Sequence, residues 1–182
     1  MLKIAVTLTF AFSALIPPVL GAQDGQHVIE VRSLLSRDAV RPGETFRAAV
    51  VVKIQAGYHI NDDAPLDEFM VPTTLIIADQ PDFEVVETLF PKGHRARFDY
   101  SEAELVVYEG EVVIGVLLKA KEGAAPGARS LQASLGYQAC DNVSCLPPKE
   151  LSFTISVPVA DSGGSDIHTD VFEKLRFRTL RK

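Results

Sequence analysis

Two cysteines, Cys140 and Cys145, are the residues of this chain best suited to covalent chemistry, and the 182-residue sequence holds no others. They stand in the run Tyr137-Gln138-Ala139-Cys140-Asp141-Asn142-Val143-Ser144-Cys145-Leu146-Pro147-Pro148. Asp141 and Asn142 are turn formers, so one strand should run into Cys140 and another should leave soon after Cys145. That places the two thiols across from each other at the base of a tight connection. Pro147-Pro148 removes two backbone donors in a row and stiffens the exit. Thiols so placed can close a disulfide, which is either an inert staple or a site of thiol exchange. On the chain-entropy model a closed loop of about six residues contributes only about 2 kcal/mol. A domain of this length does not need that staple, and a disulfide in a short turn is open to a partner's thiol. A non-catalytic binding domain with an inert disulfide remains the alternative.

Other chemistries find little support. His27, His59, His94 and His168 are scattered, and no spacing joins them to the cysteines as metal ligands. There is no Gly-rich phosphate loop, no HExxH and no nucleophile elbow. Asp62-Asp63 and Asp67-Glu68 are paired acids on a loop-like stretch, where such pairs are usually solvated. No metal and no cofactor beyond the disulfide is expected.

The redox reading depends on compartment. Lys3 precedes an almost wholly apolar run, Ile4 to Ile16, which Pro17-Pro18 ends. Small residues follow at Gly21-Ala22. This is the pattern of a cleavable signal peptide over residues 1–22, and it is too short to span a bilayer. No cysteine follows it, so no lipid anchor of the bacterial lipoprotein type is expected. Its removal takes away one basic residue and no acidic one, so the net charge of −6 becomes −7. An acidic chain argues against nucleic acid. Export to an oxidising compartment, periplasmic or secreted, permits disulfides; no later segment has transmembrane length.

The elements that must position the cysteines read as strands. They are expected over Val28–Val31, Phe46–Ile54, Tyr58–Asn61, Thr73–Ala78, Phe83–Glu87, Leu105–Tyr108, Glu111–Leu118, Leu131–Tyr137 and Leu151–Val157. Phe46, Ala48, Val50, Val52 and Ile54 should share a buried face, with Arg47 and Lys53 opposite. Leu105–Tyr108 and Glu111–Leu118 read as a hairpin across Glu109-Gly110. Pro91 to Tyr100 reads as irregular. Turn signals between short alternating strands predict an all-β, immunoglobulin-like antiparallel β-sandwich over residues 23–160, with a small barrel as the alternative. Residues 161–182 read as a linker and a basic C-terminal tail or short helix. Asp170 offers an N-cap with Glu173 three positions on, and Val171, Phe172 and Leu175 give one apolar face. A frayed, charged tail is the preferred reading, and a docking helix for a membrane surface or partner the sharper one.

The words Tyr137-Gln138-Ala139-Cys140 and Cys145-Leu146-Pro147-Pro148 resemble the N-terminal periplasmic domain of the thiol:disulfide interchange protein DsbD. Gly57-Tyr58-His59-Ile60-Asn61, Pro65-Leu66-Asp67-Glu68-Phe69, Pro72-Thr73, Pro91-Lys92-Gly93 and Val107-Tyr108-Glu109-Gly110 are similar to members of that family. The resemblance covers roughly Val28 to Val157. It implies an immunoglobulin-like sandwich with the cysteine pair at one end, and a protein-disulfide reductase component. Cys145 would form mixed disulfides and Cys140 would resolve them. Tyr58, Tyr137 and Gln138 would support the site. Electrons would come from a membrane-embedded donor and pass to exported disulfide isomerases or cytochrome c maturation thioredoxins.

The resemblance also implies an aromatic cap over the disulfide. Asp67-Glu68-Phe69 matches the cap's wording in one branch, whereas Phe98-Asp99-Tyr100 matches its place before the Tyr108 strand. Place in the fold decides what an aromatic can cover, so Phe98 and Tyr100 are expected to cap, with Phe69 second. The sequence departs from the best-known branch in having four residues, not five, between the cysteines. It carries no transmembrane channel or thioredoxin domain, so the donor is expected to be a separate protein of the DsbD channel type.

Overall fold

The computed structural model describes residues 28–180, so the expected signal segment and His27 lie outside it. Eleven strands and one short helix follow in order. They are β1 (Ile29–Leu35), β2 (Thr45–Ile54), β3 (His59–Asn61), β4 (Thr74–Ile77), β5 (Phe83–Leu89) and β6 (His94–Ala96). Then come β7 (Leu105–Tyr108), β8 (Glu111–Ala120), β9 (Gly127–Tyr137), β10 (Ala139–Cys140), β11 (Lys149–Val159) and α1 (Thr169–Phe172). All named strand pairs are antiparallel. The fold is the expected all-β, immunoglobulin-like sandwich.

One sheet has the order β1-β2-β8-β5 and a second β11-β9-β4. Alternation puts Phe46, Ala48, Val50, Val52 and Ile54 of β2 and Ile114, Val116 and Leu118 of β8 on one face. They pack in a single core with Leu131, Ala133, Leu135 and Tyr137 of β9 and Ile155, Val157 and Val159 of β11. A third sheet, β10-β3-β7-β6, carries the cysteine strand.

Three expectations are corrected. Leu105–Tyr108 and Glu111–Leu118 do not form a hairpin: β7 pairs with β3 and β6, whereas β8 pairs with β2 and β5. A two-residue type I′ turn needs positive φ at both central residues, and here only Gly110 has it, at 66°. The chain therefore bends at Glu109-Gly110 and continues from one sheet into the other. Its partner makes the same change between β2 and β3, through Gly57 at φ 87°. Pro91 to Tyr100 is not wholly irregular, because β6 pairs with β7.

The third correction concerns the tail. α1 has four residues, its N-cap is His168 rather than Asp170, and no side chain caps it. The segment is nonetheless not frayed. Phe172 and Phe177 are buried. The Arg47 guanidinium lies 5.3 Å over the Phe172 ring and donates to the Phe172 carbonyl at 3.1 Å. A side chain on Gly115 would meet Phe177 at 2.8 Å, so this strand glycine marks a close approach. Arg47, Ala49, Gly115 and Leu117 share the sheet face opposite the core. The tail covers that face, which is why Ala49 and Leu117 are also buried.

Candidate functional site

The cysteine loop is the far end of the β9–β11 pair. Tyr137 faces Lys149 at the last position of that ladder. Beyond it the chain leaves the sheet as β10, which pairs with β3 through Ala139↔Ile60 and Cys140↔His59. Cys140 and Cys145 form a disulfide, with Cα atoms 3.9 Å apart. They face each other as an antiparallel bridge, flanked by the bonds Leu146 N–H to Ala139 O at 2.8 Å and Asp141 N–H to Ser144 O at 2.9 Å. Cysteines between two such bonds occupy a non-hydrogen-bonded position, where side chains approach most closely.

Asp141 shapes the turn. Its Oδ1 accepts the backbone N–H of Val143 and of Ser144, each at 2.8 Å. Those bonds hold its carboxyl below the ordinary range. At the other end the Gln138 side-chain amide donates to the Leu146 carbonyl at 3.2 Å. Cys140 is fully buried, whereas Cys145 is half-exposed next to the exposed Pro147 and Pro148. The two sulfur-bearing residues therefore differ in access.

Phe98 and Tyr100 lie on the loop between β6 and β7. The Asp99 N–H donates to the Asn142 carbonyl at 3.2 Å, joining this loop to the cysteine turn. Phe98 stacks on the His59 ring, with centroids 3.8 Å apart and planes 13° from parallel. The Phe98 and Tyr100 rings are near-parallel at 5.6 Å. His59 Nε2 and the Tyr100 hydroxyl are 2.7 Å apart. Burial, with a smaller contribution from Asp141, pushes the Tyr100 phenol up to about 12. Phe69 is 84% exposed on a turn closed by Asp67, whose Oδ1 accepts the Phe69 N–H. Among the described residues no ring stacks on it.

Of the other expected residues, Tyr137 is buried at the end of β9, and burial raises its phenol. Tyr58 packs half-buried against the core. The acid pair is not simply solvated: Asp62 is buried and Asp63 accepts the Tyr108 hydroxyl at 2.6 Å. His59 is the residue missed. It stands in the sequence only as a scattered histidine and within the family-like stretch 57–61, although its place in an extended stretch beside Tyr58 is a usable signal.

A β-sandwich whose end carries a cross-strand disulfide beside a tethered aromatic loop is a disulfide-bearing immunoglobulin-like domain. Residues 27–157 match the family described as "Thiol:disulfide interchange protein DsbD, N-terminal", and the chain belongs to that family. No curated protein matches. Among solved structures, the N-terminal periplasmic domain of ScsB from Proteus mirabilis is 14% identical with a TM-score of 0.51. That alignment covers 84% of this chain and 53% of that one, so this chain spans about half its length. The reduced DsbD N-terminal domain of Neisseria meningitidis is 22% identical, TM-score 0.42, over 70% of this chain and 85% of that one. The yeast GGA1 GAE domain is 12% identical, TM-score 0.42, over 75% and 96%. Among the described residues no helix is long and apolar enough to cross a membrane.

Proposed function

We propose that this chain is an exported, periplasmic thiol–disulfide interchange module that passes reducing equivalents through Cys140 and Cys145 to thioredoxin-fold proteins. The observation that carries the reading is the unequal access of the pair: a buried Cys140 bonded to a half-exposed Cys145 in a stiff hairpin. Family membership and the signal-like segment 1–22 support it. In the reduced module the Cys145 thiolate attacks one sulfur of a partner disulfide, and the partner's other sulfur leaves as a thiolate and takes up a proton. Cys140 loses its proton and attacks Cys145 Sγ, releasing the partner's second thiolate. Two electrons have moved to the partner, and the module ends as the Cys140–Cys145 disulfide.

The reductant that restores the dithiol is a membrane electron donor of the DsbD channel type. The acceptors are exported disulfide isomerases or thioredoxin-like factors of cytochrome c maturation. Phe98 and Tyr100 cap the disulfide against small thiols; the Asp99–Asn142 bond supports that role for their loop. Redox equilibration of the purified domain against dithiothreitol tests the reading. Reversible two-electron exchange, followed by transfer to a thioredoxin-fold protein, is expected. A disulfide that folded protein never exchanges would mark it as an inert staple.

A further inference from the structure

We propose that His59 is the positioning residue that latches the aromatic loop shut beside the disulfide, through its stack on Phe98 and its hydrogen bond to Tyr100. The β3–β10 register sets the geometry. His59 lies directly opposite Cys140, and opposed residues of an antiparallel pair project from the same face with Cβ atoms about 5 Å apart. Cys145 lies on the other side of Cys140. His59, Cys140 and Cys145 thus form a row across the sheet end. The His59 side of that row makes ring contacts with both aromatics of the 98–100 loop.

The latch is built for a neutral imidazole. His59 is 1% exposed, and burial lowers its affinity for a proton. Glu109 and Asp141 act in the opposite direction, and His94 in the same one. Tyr100, with its raised phenol, keeps its proton. In the Nδ1–H tautomer the phenol O–H donates to the Nε2 lone pair, and in the Nε2–H tautomer the ring donates to the phenol oxygen; either way the pair is neutral, matched and part-buried. The Phe98 stack holds the imidazole plane while the phenol fixes its edge. A ring without nitrogen keeps the first contact and loses the second. The latch bears on the interchange reading only in its consequence: an open loop exposes the pair to small thiols, a closed one reserves it for a partner that displaces the loop.

The test separates the latch from general packing and from the interchange reading. Tyr100→Phe and His59→Phe each remove the hydrogen bond and keep the ring. One ordinary hydrogen bond is worth about a tenfold change in the open population. Each variant should therefore exchange the Asp99 amide hydrogen about tenfold faster, with an unchanged circular dichroism spectrum. The double variant should exchange no faster than either single one, because both remove the same bond. His59→Ala, which also loses the stack, should open further. Glutathione should reduce the disulfide faster in the same order. Wild-type amide exchange in Tyr100→Phe, or full additivity in the double variant, overturns the latch. The exchange measurement does not need redox activity, so a disulfide that no reductant opens sinks the interchange reading and leaves the latch to be judged by its own readout.

Discussion

The backbone N–H of Asp99 donates to the carbonyl of Asn142, and this single bond ties the aromatic loop to the cysteine turn 43 residues further on. The loop's two rings reach the His59 side of the same sheet end. The loop is thereby held at the sheet end that carries the disulfide.

Shielding predicts a rate. Replacing Phe98 and Tyr100 together by Ala should speed reduction by glutathione by at least about tenfold, since at least one hydrogen bond and two ring contacts are lost. Phe69→Ala should leave the rate unchanged, because that ring is exposed on another turn. Stopped-flow reduction of the three proteins reads both outcomes. Equal rates for the double variant and wild type would return the two aromatics to ordinary packing.

Access predicts a division of labour. Cys140→Ser leaves the half-exposed Cys145 free, with no resolving thiol to clear a mixed disulfide. It should trap an exported thioredoxin-like protein as a band on a non-reducing gel. Cys145→Ser leaves only the buried thiol and should trap little. Equal trapping by both variants contradicts the assignment.

The sandwich and the disulfide were legible in the sequence because period-two alternation and turn residues act locally. The alternation at Phe46, Ala48, Val50, Val52 and Ile54 gave the core face of β2, and Asp141-Asn142 gave the turn between the cysteines. What stayed hidden depends on long-range partners. Glu109-Gly110 looks the same locally whether the chain reverses or bends into a second sheet; pairing with β3 decides it. Asp62 and Asp63 read as solvated until Tyr108, 45 residues on, is brought to Asp63. His59 reads as a stray histidine until the register sets it against Cys140. Phe172 and Phe177 sit among charged residues, and their burial shows only when Arg47 is set over the Phe172 ring and Phe177 against Gly115.

The packed tail gives a stability prediction. A bulge at Val86 shifts the register of β5 between Val85 and Glu87, so Glu87 faces Leu117 on the tail side. Its carboxylate accepts the backbone N–H of Thr179 and of Arg178, each at 2.9 Å, and the Thr179 hydroxyl at 2.7 Å. These bonds, the Thr179 N–H foremost, hold the carboxyl at about 2 against an ordinary 4.5. A depressed folded-state value stabilises the protein above the unfolded value and loses that contribution as pH falls from 4.5 toward about 2. Glu87→Gln should thus lower the denaturation midpoint at neutral pH and change it little near the acid end. Phe177→Ala should cost about 3 kcal/mol at either pH, since its loss is a cavity and not a charge. Urea titrations at the two pH values separate the effects; a pH-independent Glu87→Gln penalty would show that the carboxylate's charge is immaterial.

The direction of electron flow follows from what surrounds the pair. An oxidising disulfide needs a stabilised thiolate, which usually comes from a helix N-terminus or nearby cations. Here the pair lies in a β-hairpin, and the one helix among the described residues, α1, is four residues long and packs on β2. The adjacent charge is Asp141, held ionised by its own turn. Lys149 stands beyond two prolines, at the start of β11. Burial of Cys140 disfavours its thiolate by desolvation as well. Both thiols should have ordinary or raised pKa values, leave slowly, and form a disulfide that is hard to reduce. The reduction potential should lie nearer the roughly −270 mV of thioredoxin than the roughly −120 mV of the oxidase DsbA. Asp141→Asn should move it in the oxidising direction, because loss of the neighbouring negative charge favours the thiolate of the reduced form. Equilibration of wild type and variant against dithiothreitol measures both. A wild-type potential near the DsbA value would mean that the thiolate is stabilised despite Asp141 and burial, and the module would then accept electrons from its partners instead of supplying them.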